Sequence, residues 1–311
     1  MTVSLKDRTN GTVVHAATTA PGFALVTAVR IAGLTWAVGF IVVGVLFELQ
    51  LYADGSMFAY GIAAEAGWAF HWHNIATRLF VFAIAHLPAQ AFVSLTGDAA
   101  GGIALYGTLF FAAPLAGLGL TWAADGSIGR RYFTLACAST VVQCPLVFGF
   151  PTEMWVAHGL FWPALALAMR QSTNAGVTTW PLACALTALM LCHGGGAVWA
   201  VGICVMAATA QPAMASLRRL GMVLAVALLV RLAVQLALPP DAYFQTVIWR
   251  AALHFIDVSA IADRVVVVLC CAIFGFVLVR RLLRRLGGPR SSLVAASIVL
   301  AGLVVYWLAV G

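Results

Sequence analysis

Residues 23–51 read FALVTAVRIAGLTWAVGFIVVGVLFELQL, with one arginine, Arg30, and one acid, Glu48. About 20 apolar residues suffice to cross a bilayer as a helix. A signal-peptide core is only about 7–15 residues long. The stretch therefore predicts an uncleaved first membrane span that follows a polar, Thr/Ala-rich tail.

The rest of the chain agrees with that reading. Of 311 residues, 63% are apolar and 9% charged, and the mean hydropathy is +1.01. Soluble domains are about half apolar. No window alternates with period two over a strand length, so a helical bundle is favoured over an outer-membrane barrel. The expected fold is all-α: a polytopic transmembrane helical bundle of roughly nine to ten spans with interfacial helices. Residues 1–22 form the polar N-terminal tail, and 23–311 form a single transmembrane domain with a first external loop at about 52–74.

Apolar runs fall at about 24–51, 76–95, 103–123, 131–149, 155–170, 178–192, 195–211, 216–238, 264–283 and 291–310. Several have only about sixteen residues and reach about 24 Å, short of a ~30 Å hydrocarbon core. Such segments are expected to be tilted, broken or partly re-entrant.

The net charge of +7 is not a nucleic-acid footprint. One lysine stands against sixteen arginines, and these cluster at the ends of apolar runs. That is the pattern of the positive-inside rule. With Arg130 and Arg131 cytoplasmic, alternate crossings bring Arg170, Arg218/Arg219 and Arg280–Arg285 to the same side. The opposite side receives FGFPTE (148–153), CHGGG (192–196) and ALPPDAYF (237–244). The first third closes only if one run fails to cross. The run 76–95, with Arg78, His86, Pro88 and Gln90, is the expected partial crossing. All seven cysteines lie in apolar runs without a C-x-x-C, which reads as packing.

Four polar groups interrupt the apolar chain. The first is YADGSMFAYGIAAEAGWAFHWHN, Tyr52–Asn74, with Asp54, Glu65, His71 and His73 among aromatics. Its ordinary reading is a helix-capping aspartate before an interfacial helix over Gly55–Trp72. His71, Asn74 and Arg78 are spaced i, i+3, i+7 on one face. His71 and His73 diverge on a helix and make a poor metal pair, and the chain has neither HExxH nor C-x-x-C-H. The second group is FGFPTEMWVAHGLFWP (148–163), with Glu153 in a first helical turn and His158 beyond it. A capping carboxylate with interfacial tryptophans is its plain reading, and an ionisable group facing a cavity its functional one. The third is LCHGGGAVW (191–199), either a tight helical hairpin or a ligand approach at His193. The fourth, 239–264, carries Asp241, Arg250, His254, Asp257 and Arg264 and reads as a second interfacial helix. Arg250 or Arg264 suits a phosphate, since a guanidinium matches phosphate oxygens in a fork. Arg30 and Arg231, inside apolar runs, are further candidates for a lipid phosphate or a buried ion pair.

An N-terminal span, a short acidic loop, an interfacial helix and then many spans with motif loops on one face: this order resembles the GT-C integral-membrane glycosyltransferases. The resemblance implies that the first-loop acid, Asp54 here, acts as base or as a metal-linked carboxylate, with Glu153 assisting from a later loop. Glu65, His71, Arg78, His158, His193, Asp241, Arg250 and Arg264 are then the expected substrate-binding residues. No metal ligand is assigned. Mg or Mn is the divalent cation the resemblance allows. The expected partners are membrane lipid and a lipid-linked (polyprenyl-phosphate) sugar donor, with an envelope acceptor and no nucleic acid. The expected location is the bacterial inner (plasma) membrane. Asp54 is followed by Gly55, whereas the family motif is often two adjacent acids. The competing readings are a multi-span transporter or channel, with broken spans around HGGG, and a non-catalytic membrane subunit.

Overall fold

The computed structural model describes residues 21–52, 54–68, 75–146, 153–173, 178–210 and 214–256, with 273, 275 and 277. His71, His73, Asn74, Asp257, Arg264 and Arg280–Arg290 lie outside the described residues, as do the runs from 264 onward apart from the three positions named. The described chain is helical with no strand. In order, the α-helices are α1 (Pro21–Leu46), α2 (Asp54–Ala63), α3 (Leu79–Val81), α4 (Leu87–Thr96), α5 (Ala99–Phe111), α6 (Ala113–Ala124), α7 (Arg131–Leu146), α8 (Glu153–Thr173), α9 (Trp180–Met190), α10 (Gly196–Ala210), α11 (Met214–Ala237) and α12 (Ala242–Ile256). A π-helical turn, Phe82–His86, joins α3 to α4.

Four helical segments are long and apolar enough to cross a membrane: Ala24–Leu46, Leu79–Thr96, Ala99–Ala124 and Met214–Ala237. They leave large apolar side chains uncovered. On α11 these include Met222, Leu229, Leu232 and Leu236. An apolar stripe of this length is stable against lipid and not against water. The chain is an integral membrane protein.

Helix α8 runs through the bundle core, burying Trp155, Val156, Ala157, Ala164, Ala166 and Ala168. Small residues let its neighbours come close. A methyl group at Gly117 of α6 would overlap the Gly159 carbonyl of α8. At Gly33 of α1 it would stand 2.5 Å from the Cys137 Cβ of α7. Backbones this close gain dispersion contact, which replaces the hydrophobic drive that lipid cannot supply. Phe40, Phe111 and Trp155 fill the centre. The Phe40 ring lies 5.0 Å from Phe111 and 4.3 Å from Trp155.

The bundle has two chemically distinct ends. At one, the Arg30 Nε donates to Thr134 Oγ1 at 2.9 Å and its Nη2 to the Gly129 carbonyl. This seats the start of α1 against the start of α7, so Arg30 has partners within the chain. Arg170 closes α8 at the same end. Ser216 of α11 donates to the Ser172 carbonyl at 3.1 Å, which brings Arg218 and Arg219 there too. Glu153 opens α8 seventeen residues earlier, about 25 Å away. The other end therefore holds Glu153, the α9–α10 break and the end of α1.

The segment Leu79–Thr96, expected as a partial crossing, is long and apolar enough to cross a membrane and packs against α2. Phe58 of α2 lies 4.6 Å from the His86 ring. Further along, Gln90 donates to the Glu65 carbonyl at 3.1 Å and accepts from Gly67 N at 3.0 Å. Ser94 donates to Glu65 Oε2 at 2.6 Å. Helix α2 and its following turn thus track the segment from Arg78 to Ser94. Since α2 starts eight residues after α1 ends and Arg78 pairs with Glu153, the start of the segment lies at the Glu153 end. Then α5 and α6 carry the chain to the arginine end, with a break at Ala112 and Pro114 in the first turn of α6.

The interfacial helix expected over Gly55–Trp72 is shorter. Helix α2 ends at Ala63, and Glu65 takes a left-handed backbone with φ of 55°. Phe58, Ala59 and Ile62 are buried, so α2 packs into the bundle on one side.

Candidate functional site

Three elements distant in sequence are tied together at the Glu153 end. Arg78 ends a single 3-10 turn, Ala76–Arg78, ahead of α3. Phe80 N donates to the Leu191 carbonyl at 2.9 Å, which fixes α3 to the α9–α10 break. The Cys192 thiol in turn donates to the Glu153 carbonyl at 3.4 Å. These contacts set Arg78 Nε 2.7 Å from Glu153 Oε1. The pair is only partly shielded, with the arginine side chain 28% and the glutamate 12% exposed. The Arg78 guanidinium also lies 5.9 Å from the centre of the Phe58 ring of α2.

His193 sits in the break itself. Gly195 N donates to its Nδ1 at 3.0 Å. With Nδ1 accepting, the neutral ring carries its proton on Nε2. Burial holds the imidazole below its ordinary pKa; the Glu153 carboxylate pulls upward and Arg78 adds to the lowering. Gly196 permits the hairpin, because a methyl there would overlap the Leu189 carbonyl. The glycine run closes the tight helical hairpin that is one of its two expected readings, and it sets His193 within electrostatic reach of Glu153 and Arg78.

Tyr106 of α5 is fully buried. Its hydroxyl has no hydrogen-bond partner among the described residues. Its ring lies 5.1 Å from that of His86, which belongs to the π-helical turn. Such turns often accompany functional sites. Asp54 opens α2, is exposed, and makes no hydrogen bond or ion pair among the described residues.

The remaining expected residues divide. Glu65 lies exposed in the turn after α2, and its Ser94 and Gln90 bonds anchor that turn to α4. His158 is buried between α7 and α8, with Nε2 2.7 Å from Ser139 Oγ and 3.4 Å from Trp162 Nε1. Five residues past Glu153 on a helix is more than a third of a turn round, which sends it to another side. Asp241 Oδ1 accepts from Phe244 N at 2.7 Å and caps α12. Arg250 is exposed on that helix, lining a shallow surface groove with Gln245 and Trp249. Arg231, in α11, points Nη2 at the Gly194 carbonyl across 3.4 Å.

A divalent cation does not fit these residues. Among the described residues no three His, Cys, Asp or Glu side chains gather as ligands, and the Glu153 carboxylate is engaged by Arg78.

The sequence pointed to Asp54, Arg78, Glu153 and His193 separately. It gave no sign of Tyr106, a lone tyrosine in an apolar helix, nor that Arg78 and Glu153 pair across 75 positions. Compared with known proteins, the chain matches no protein-family model, no curated protein and no solved structure at a significant level.

Proposed function

We propose that the chain is a membrane glycosyltransferase of the GT-C kind, moving a sugar from a polyprenyl-phosphate donor to an envelope acceptor at the outer face of a bacterial plasma membrane. The observation that carries the reading is the Arg78–Glu153 pair, 75 positions apart in sequence and 2.7 Å apart in space, at the end of the bundle where Asp54 opens α2 and His193 sits in the α9–α10 break.

The roles follow from charge and freedom. Asp54, unpaired and at the membrane surface, is the general base. The acceptor hydroxyl attacks the anomeric carbon and gives its proton to Asp54. The bond from that carbon to the phosphate oxygen breaks, and its electron pair leaves with the phosphate, which stays on the lipid carrier. Arg78 offsets the charge that grows on the phosphate, and Glu153 keeps the guanidinium in place. His193 Nε2 is a donor for the polar groups of the sugar. The uncovered apolar helices give the lipid tail a path along the bundle. Arginines at the opposite end support an outward-facing site.

The test uses the purified chain in nanodiscs with radiolabelled polyprenyl-phosphate sugars and an envelope acceptor fraction. Label should pass to the acceptor. Asp54→Asn should lower transfer by at least about 100-fold while inserting and purifying normally. Unchanged transfer by Asp54→Asn would overturn the reading. So would solute flux in proteoliposomes with no transfer, which would favour a transporter.

A further inference from the structure

A cleft of about 300 Å³ opens at the arginine end, between the turn that precedes α7 and the last turns of α8. Its polar wall comprises Arg131, Arg170, Ser127 and Tyr132, and its apolar floor includes Ala166 and Met169. The positive-inside rule explains arginines on this face. It does not explain why two, from separate helices, line one concavity.

Their charge is not spent inside the chain. Asp125, the acid of this turn, is buried and fully used: Oδ1 accepts from Ser127 N at 2.9 Å and Ser127 Oγ at 2.6 Å, and Oδ2 from Phe133 N at 2.9 Å. Neither Arg131 nor Arg170 has an acidic partner among the described residues. Arg131 Nη2 donates to the Tyr132 hydroxyl at 2.7 Å, which fixes one edge of its fork on the cleft wall. The Arg170 stem lies beside Gly126, where a methyl would stand 3.5 Å from its Cδ.

The cleft also borders the lipid-facing surface. Ile128 is completely exposed at its rim, and Trp122 and Leu135 nearby are each about half exposed. An exposed isoleucine beside two guanidinium groups that have no acidic partner among the described residues suits the level where headgroups meet acyl chains.

We infer that this cleft binds a phosphate group, presented by an anionic phospholipid of the arginine-side leaflet. The two guanidinium groups and the Tyr132 hydroxyl take the phosphate oxygens, and Ile128 and Met169 take the upper acyl chain. Basic pockets between helices on this side of a membrane are suited to anionic headgroups, and two forked donors give geometry as well as charge. The site lies at the far end of the bundle from Asp54 and is independent of the transfer reaction.

The experiment is native mass spectrometry of the detergent-purified chain titrated with short-chain phosphatidylglycerol, phosphatidylcholine and inorganic phosphate. Phosphatidylglycerol should bind at least about tenfold more tightly than phosphatidylcholine. Arg131→Gln/Arg170→Gln should lose that preference, and Arg131→Lys/Arg170→Lys should recover part of it. Arg218→Gln/Arg219→Gln, on the same face but outside the cleft, should keep it. Stabilisation by inorganic phosphate equal to that by lipid, and lost in the same glutamine variant, would uphold the phosphate site and give a free ion as its source. Full retention of phosphatidylglycerol by Arg131→Gln/Arg170→Gln would overturn the site. Equal loss in the Arg218/Arg219 variant would also overturn it, by reducing the effect to general surface charge.

Discussion

The two ends of this bundle use charge in opposite ways. At the arginine end, Arg30 donates to the Gly129 carbonyl of the turn ahead of α7, and Arg130 to the Trp122 carbonyl in the last turn of α6. Arg130 also lies 4.3 Å over the Trp122 ring. These are anchors that fix helix starts and mark a leaflet. At the other end, charge is nearly balanced and each group comes from a different element: Asp54 from α2, Arg78 from the turn before α3, Glu153 from α8 and His193 from the α9–α10 break. An anchor needs only its own neighbourhood. A site needs groups that are distant in sequence, and only the tertiary fold supplies them. The difference between the ends is therefore a difference in what holds the charges, more than in how many there are.

The largest expected effect comes from the scaffold that keeps the ends in register. Gly117→Leu should destabilise the protein by about 3 kcal/mol, read as detergent-phase thermal unfolding, because its side chain would overlap the α8 backbone at Gly159. Gly119→Leu, two residues along with open space around it, should leave the midpoint unchanged. Equal tolerance at both positions would mean that α6 and α8 are not in backbone contact.

Much of this architecture was legible beforehand because membrane helices are written in run length. The runs near 155–170, 195–211 and 216–238 correspond to α8, α10 and α11, and arginine placement identified the shared end. The run at 76–95, expected as a partial crossing from Arg78, His86, Pro88 and Gln90, forms a helical segment long and apolar enough to cross. The run at 103–123 hid a break, for which Pro114 was the cue. The site was legible only as separate residues. Glu65 and His158 looked equivalent to Asp54 and Glu153, since a polar side chain in an apolar chain gives the same signal whether it staples a loop or faces a cavity. Tyr106 gave none, because a lone tyrosine in an apolar run is the ordinary signal of a membrane interface.

A smaller effect separates the ends by pH. Burial lowers the His193 pKa in the folded chain, so folding favours the neutral ring. As pH falls below about 6.5, the unfolded chain takes up this proton first. Stability is therefore lost as pH falls from the ordinary histidine pKa towards the depressed one. His193→Gln should flatten the dependence of the unfolding midpoint between pH 7 and pH 5. An unchanged slope would assign acid sensitivity to another group.

The most direct test of the assembled site is a double-mutant cycle on Arg78→Gln and Glu153→Gln, read as unfolding free energy in detergent. The 2.7 Å contact between these side chains predicts strong non-additivity. Each single variant should cost more than the double variant adds to it, with a coupling of about 0.5–3 kcal/mol. Additivity within about 0.3–0.5 kcal/mol would mean that Arg78 and Glu153 do not meet, and the site at this end of the bundle would not exist.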